Sequence, residues 1–294
     1  MTNRITVLVI CIAAFLVLHS ANVRADSSAP QIAYLGLSEG IWQCWVINAD
    51  GTGARQVTRS AQDTLRVSWY PGGSKLLANK ADGNIYEVSL ENGDEKHIPL
   101  ELEGFQDAVV SPDGQRIAFS LSTSGSRDDN NIWLATLSDG ALLKVTNMPW
   151  LQHEPVWTPD GMALYFLSGD GGQTHDIWRV VLPDGTPEQL TANQAYHFDV
   201  DVAVDGRLAY SNNQDGLYDL WLREDGREDS KLTDHRALDA NPSWSPDGKK
   251  LVFSSTREGG PDLWLLDTGN GDLKRLTNTN GGARSPVWRK AEER

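Results

Sequence analysis

A short motif recurs along this chain at nearly even spacing, and no other feature restricts the fold as much. An apolar or Trp residue precedes a tight Gly turn in Trp69-Tyr70-Pro71-Gly72-Gly73, Val110-Ser111-Pro112-Asp113-Gly114, Trp157-Thr158-Pro159-Asp160-Gly161, Val202-Ala203-Val204-Asp205-Gly206 and Trp244-Ser245-Pro246-Asp247-Gly248. A truncated sixth copy is Ser285-Pro286-Val287-Trp288. The aligned apolar or Trp positions 69, 110, 157, 202, 244 and 288 lie 41, 47, 45, 42 and 44 residues apart, close to the ~40–45 residues of a four-stranded propeller blade. One such unit cannot bury its own apolar face, so the chain must be an array of small antiparallel sheets stacked on one another.

Within a unit the turn residues mark out four strands. Ala240 to Trp244, Lys250 to Ser254, Asp262 to Leu266 and Leu273 to Thr277 are separated by Gly-containing connections, and Asp-Gly and Asn-Gly supply the positive φ that hairpins need. A second Gly turn recurs between third and fourth strands at Asp50-Gly51, Asn92-Gly93, Asp139-Gly140, Asp184-Gly185, Asp225-Gly226 and Asn270-Gly271. Fourth strands end in Val57-Thr58, Val145-Thr146, Leu190-Thr191, Leu232-Thr233 and Leu276-Thr277, with His97-Ile98 the degenerate member.

Nine of the 11 Trp residues fall at two repeat positions: Trp69, Trp157, Trp244 and Trp288 in first strands, and Trp45, Trp133, Trp178, Trp221 and Trp264 in third strands. A stripe of this kind is either a stacking platform for sugars or the wedge that fills the space between neighbouring sheets. The regular recurrence favours the wedge, with Trp133, Trp178, Trp221 and Trp264 mostly buried between blades.

The two ends complement each other. Ile32 to Leu35 aligns with a second strand and has no first strand before it, while Ala283 to Trp288 is a first strand with nothing after it. Joining them completes a sixth blade and removes two sheet edges. The expected fold is therefore all-β, a six-bladed propeller of four-stranded antiparallel blades closed by the C-terminal strand, with residues 26–294 as a single domain.

These residues also carry a family resemblance. Pro242-Ser243-Trp244-Ser245-Pro246-Asp247-Gly248, Leu251 to Ser255 with Arg257, Asp262-Leu263-Trp264 and Arg275-Leu276-Thr277 closely resemble the repeat of the TolB-type six-bladed β-propeller, and Pro155 to Gly161 and Ser285 to Trp288 repeat it. The resemblance spans nearly all of the chain after residue 25. It implies an exported propeller whose loops and central funnel bind something, and since one fold hosts many functions it does not name the ligand. TolB itself is a periplasmic component of the Tol-Pal system with an α/β domain ahead of its propeller. Here the first blade begins within a few residues of Asp26, so that domain is not expected.

Arg4, the apolar run Ile5 to Leu18 and the small-residue site Val23-Arg24-Ala25 form the layout of a secretory signal peptide. The apolar run is short for a membrane span, which needs about 20 residues, so a periplasmic or secreted protein without stable membrane insertion is expected. Removing residues 1–25 takes away Arg4 and Arg24 and no acid, moving the net charge from -14 to -16. Such acidity repels phosphate backbones and anionic lipid, which argues against nucleic-acid partners. Cys44 is the one cysteine left after that cleavage, so no intramolecular disulfide is expected, and its alignment with apolar third-strand residues marks an inert buried thiol.

The connections into the first strands emerge together at one end of a propeller, around the mouth of its channel. The residues before Pro-x-Trp or its equivalent are Arg66, Asp107, Glu154, Asp199, Asn241 and Ser285, flanked by His153 and Arg284. Such a ring would cradle a cation or a basic peptide, or it would cap strand ends in solvent. If its charges are exposed, reversing Asp107, Glu154 and Asp199 to Lys should leave stability near unchanged.

His153, His197 and His235 lie in three successive connections of this kind. Converging imidazoles with nearby carboxylates would hold a divalent metal able to activate water, although no His-x-His or His-Glu-x-x-His spacing is present. No Gly-x-Ser-x-Gly elbow occurs either. The sequence therefore points to a monomeric, non-catalytic binding or scaffolding module for a protein or peptide partner, with no cofactor expected. The alternative is a metal-assisted hydrolase or lyase acting on an envelope or extracellular glycan.

Overall fold

The computed structural model describes residues 30–290 except 101–103, 105, 126–128, 170, 172, 173, 193, 194 and 280. The expected signal peptide, residues 1–25, lies outside the described residues.

Among the described residues, twenty-four strands form six four-stranded sheets. In chain order they are β1 (Gln31–Ser38), β2 (Ile41–Asn48) and β3 (Arg55–Gln56); β4 (Thr64–Trp69), β5 (Lys75–Lys80), β6 (Ile85–Ser89) and β7 (Glu95–His97); β8 (Gln106–Val110), β9 (Arg116–Ser122), β10 (Asn130–Thr136) and β11 (Leu142–Lys144). The second half continues with β12 (Gln152–Trp157), β13 (Ala163–Gly169), β14 (His175–Val181) and β15 (Glu188–Gln189); β16 (His197–Val202), β17 (Leu208–Asn212), β18 (Asp219–Arg223) and β19 (Ser230–Lys231); β20 (Asp239–Trp244), β21 (Lys250–Ser255), β22 (Asp262–Asp267) and β23 (Leu273–Arg275); and β24 (Ala283–Trp288). Five sheets are meanders of consecutive strands, and the sixth has the order β24-β1-β2-β3. The chain thus closes as the orphan ends require, with Ile32 opposite Trp288 and Gly36 opposite Ala283.

The repeated residues have definite jobs. At the turn after each inner strand, Gly114, Gly161, Gly206 and Gly248 adopt φ of 70°, 68°, 89° and 66°, and the Asp before each accepts the N–H two residues on, as Asp160 does from Met162 (2.9 Å). That is an Asx turn, which explains why Asp-Gly recurs there. The Thr closing five of the fourth strands accepts the N–H of a third-strand residue: Thr58 from Cys44 (2.9 Å), Thr146 from Ile132 (2.9 Å), Thr191 from Ile177 (2.9 Å), Thr233 from Leu220 (3.0 Å) and Thr277 from Leu263 (2.8 Å). The outermost strand is only two or three residues long, so a side-chain acceptor extends the pairing that its backbone cannot reach.

Apolar clusters fill the spaces between sheets, each combining residues of neighbouring blades. One joins Ile32, Tyr34 and Ile47 to Val252, Leu263, Leu265 and Leu276 beneath Trp288. First-strand Trp69, Trp157, Trp244 and Trp288 are buried. Third-strand Trp133, Trp178, Trp221 and Trp264 are mostly buried as expected, packed against these clusters, but each keeps more exposure than the first-strand rings. They sit on the third strand of each sheet, further from the axis, where the blades splay apart.

Candidate functional site

The six innermost strands, β24, β4, β8, β12, β16 and β20, surround a central channel of about 780 Å³. Arg66, Asp107, Glu154, Asp199, Asn241 and Ser285 all line it. In three blades the segment leading into the inner strand is tied to the end of the second strand or the connection after it, by Ala81 N–H to Asp63 O (2.9 Å), Gly169 N–H to Leu151 O (3.0 Å) and Thr256 N–H to Leu238 O (3.1 Å). Both sets of loops therefore share the mouth face. The Pro71, Pro112, Pro159 and Pro246 turns line the opposite end.

The ring side chains reach the channel through a local irregularity. Pairing of every inner strand with its neighbour slips by one residue here, for instance between His153 and Val156 and between Phe198 and Asp201. Within the slip Asp107, Glu154, Asp199, Asn241 and Ser285 have φ of 58°, 52°, 52°, 54° and 50°. Left-handed backbone costs a non-Gly residue about 1–2 kcal/mol, and a bulge of this kind re-aims one side chain against the strand's alternation. Five strained residues at equivalent positions around one opening form a constellation of the type found at ligand sites.

Their hydrogen bonds run from blade to blade. The Glu154 N–H donates to Asp107 Oδ2 (3.3 Å), the Asp199 N–H to Glu154 Oε2 (3.0 Å) and the Asn241 N–H to Asp199 Oδ2 (3.3 Å). Ser254 continues the series, donating to Asn241 Oδ1 (3.1 Å) while accepting the Ser285 N–H (3.0 Å). This corrects the expectation that the carboxylates are free solvent-facing charges. Lys in place of any of them would leave a backbone N–H of the next blade without its acceptor, so charge reversal would cost stability.

Arg66 lies 3.7 Å from Asp107 Oδ1, and His153 Nδ1 lies 3.4 Å from Glu154 Oε1. Burial opposes ionisation of Glu154, but the His153 ring and Arg66 outweigh it and hold the carboxyl below its ordinary range. Burial and then repulsion from Glu154 push Asp199 the other way, up to about 7. Two neighbouring carboxylates thus differ in charge state near neutrality.

The predicted histidines do not assemble together. His153 Nε2 is 2.9 Å from Nδ1 of His175, a residue absent from the sequence-based candidates. His197 is fully buried, with Nδ1 against the His175 carbonyl (2.6 Å) and Nε2 against Asn212 Nδ2 (3.1 Å), and burial lowers its pKa. Both nitrogens are occupied, as in a structural neutral imidazole. His235 is exposed. Among the described residues no group of three or more His, Cys, Asp or Glu side chains is arranged to hold a metal ion.

Sequence reasoning also missed an aromatic series beside Glu154 and Asp199. The His175, Tyr196, Phe198 and Tyr218 rings follow one another at centroid distances of 4.2, 4.3 and 5.2 Å. The run Tyr196-His197-Phe198 was its one sequence signal. Asp201, deeper in the channel, was missed as well; it accepts the Trp244 N–H (2.6 Å) and pairs with Lys290 Nζ (3.1 Å).

A closed ring of six sheets around a bulge-lined, charged channel defines a six-bladed β-propeller with a candidate binding mouth. The chain belongs to the TolB beta propeller domain family, whose model matches residues 43–221 and 205–294. It is 31% identical over 193 residues to the uncharacterized protein Atu1656 of Agrobacterium fabrum, covering 63% of each chain. The similarity to the Tol-Pal system protein TolB of Anaeromyxobacter dehalogenans is 29% over 133 residues, 44% of this chain and 30% of that one. The match thus spans less than two thirds of these relatives. Among solved structures, TolB from Acinetobacter baumannii superposes with a TM-score of 0.79 at 24% identity, over 89% of this chain and 67% of that one, a likeness of fold.

Proposed function

We propose that this protein is an exported, non-catalytic binding or scaffolding module that takes a protein or peptide partner in the cell envelope at the mouth of its channel. The observation carrying this reading is the ring of five left-handed, bulged residues that turn Asp107, Glu154, Asp199, Asn241 and Ser285 into one opening. Structural closure needs no charge there, and rigidly presented loop-end residues are where binding concentrates. The relatedness to Tol-Pal TolB proteins supports a protein partner, and the acidic ring supports a basic one, with salt-sensitive association. No helix among the described residues is long and apolar enough to cross a membrane.

Immobilised protein and its Asp107→Asn/Glu154→Gln/Asp199→Asn variant, exposed to envelope extract, test this reading. Amides keep the oxygen that each neighbouring N–H needs and remove the charge. Partners held by the wild type should be lost or weakened on the variant while it remains cooperatively folded. Retention of the same set by both proteins would move the search to the opposite face. Stoichiometric transition metal in the purified protein, with glycan cleavage abolished by chelation, would overturn the non-catalytic assignment.

A further inference from the structure

Among the described residues, four arginines stack on tryptophan rings, and three of them also donate to an oxygen. Arg116 lies 4.9 Å over Trp157 and reaches the Gly161 carbonyl (3.3 Å). Arg207 lies 4.7 Å over Trp244 and pairs with Asp205 (2.8 Å). Arg257 lies 4.8 Å over Trp264 and pairs with Asp239 (2.8 Å). Arg284 makes the closest stack, 3.9 Å over Trp42, yet no described residue accepts a hydrogen bond from it or places a carboxylate within 4.0 Å. Its Nε is buried and unpartnered. The charge of Asp63 is felt there, but Asp63 Oδ1 accepts the Trp42 N–H (2.7 Å).

We propose that the Arg284–Trp42 stack on the mouth rim is a receptor for a carboxylate carried by the ligand. Partial burial of a guanidinium without a directly paired carboxylate is costly. The cost is offset when an anion arrives, because charge-assisted bonds strengthen in a partly desolvated site. Arg284 directly precedes ring residue Ser285 on β24, and Trp42 begins β2. With Nε turned into the protein, the free edge is the Nη1–Nη2 end, whose two parallel donors match the two oxygens of a carboxylate. Stacking on the indole fixes the plane of that fork before the ligand binds. The inference rests on the mouth reading in that it names a second chemical feature of the same partner, an acidic group facing the rim opposite Glu154.

Small probes read the site without any partner, so its failure is separable from failure of the mouth reading. In the full-length 15N-labelled protein, the Arg284 Nε–H and Trp42 indole N–H signals are identified by their loss in Arg284→Lys and Trp42→Phe. N-acetylglycine should shift both signals saturably and N-acetylglycinamide should not. In Arg284→Lys, which keeps the charge but loses the planar fork, the affinity read at Trp42 should fall at least about tenfold. A carboxylate on a side chain is tested with N-acetylaspartic acid α-amide; tighter binding of either acid supports the assignment and tells a chain terminus from an acidic side chain. Shifts that do not saturate, an equal response to the neutral amide, tighter binding of inorganic phosphate, or unchanged affinity in Arg284→Lys would each overturn it. If the probes bind as expected while the triple amide variant still retains every partner, the mouth reading fails and the carboxylate site stands.

Discussion

Closure by β24 is the step on which the whole ring depends, and its energetics can be worked from Trp288. That side chain is 2% exposed, among Ile32, Tyr34, Ile47, Val252, Leu263, Leu265, Leu276 and Ala283. Trp→Ala at a buried site costs about 3–5 kcal/mol. The indole Nε1 here is buried without an acceptor, and removing an unsatisfied donor returns about 1–3 kcal/mol. The net cost of Trp288→Ala should therefore be about 2 kcal/mol (about 4 lost less about 2 returned), and at about 2–4 °C per kcal/mol for a domain approaching this size the melting temperature should drop by about 4–8 °C. Trp288→Phe keeps much of the apolar contact and sheds the orphan N–H, so it should cost under about 1.5 kcal/mol. Deleting residues 283–294 also removes the Val287 carbonyl that accepts Trp69 Nε1 (2.9 Å) and the Gln31 O to Arg289 N–H bond (2.9 Å). It opens the long edge of β1 as well, a loss that should exceed the ~5–15 kcal/mol stability of a typical domain. Thermal and urea unfolding followed by circular dichroism measure all three variants. A truncated chain that stays soluble and melts like the wild type refutes closure, and a Phe variant as unstable as the Ala variant refutes the orphan-donor argument.

Three further outcomes follow from the same contacts. Asp199 binds its proton more tightly folded than unfolded, up to about 7 against 3.8, so its contribution to stability falls as pH rises through that window; Asp199→Asn should gain about 1 kcal/mol or more on wild type between about pH 5 and about pH 8 in urea titrations, and a constant difference contradicts this. Thr146→Val removes the acceptor of the buried Ile132 N–H (2.9 Å) and should cost about 1–3 kcal/mol, read as a shift in urea midpoint at constant slope. Cys44 is fully buried and burial pushes its thiol up to about 11, so native protein should not react with iodoacetamide at neutral pH while urea-unfolded protein should; rapid native labelling contradicts the inert-thiol reading.

Blade number, strand order and closure were legible because each rests on a residue whose role is local: Asp-Gly for the turn, a β-branched or aromatic run for the strand, Thr at the strand end. The reason for that Thr was not legible, since its partner is a backbone group on the neighbouring strand, about 14 residues away by sequence. Burial of the Trp residues was half legible. Repetition shows that they pack, but only the wedge shape of the space between blades separates buried Trp244 from partly buried Trp264. At the mouth, the sequence located Arg66, Asp107, Glu154, Asp199, Asn241 and Ser285 at equivalent places. Strand alternation cannot foresee a one-residue bulge, so their left-handed conformations and blade-to-blade bonds were invisible. His175 escaped notice because it meets His153 from a different strand, 22 residues downstream.

The bonds among the ring residues also explain why equivalent carboxylates are not equivalent chemically. One oxygen of Asp107, Glu154 and Asp199 accepts the N–H of the next blade, so what surrounds the second oxygen distinguishes the three. For Asp107 the neighbour is Arg66, and for Glu154 it is His153. Asp199 has a covered site and the Glu154 charge instead, and its proton affinity rises. The same change at two ring positions should therefore act with opposite sign near neutral pH. Asp107→Asn strips Arg66 of its partner and should cost up to about 1 kcal/mol, as expected of a half-exposed ion pair, whereas Asp199→Asn removes a carboxylate that resists ionisation and should stabilise. Equal shifts in urea midpoint for the two variants would mean that ring position alone sets the energetics of the mouth.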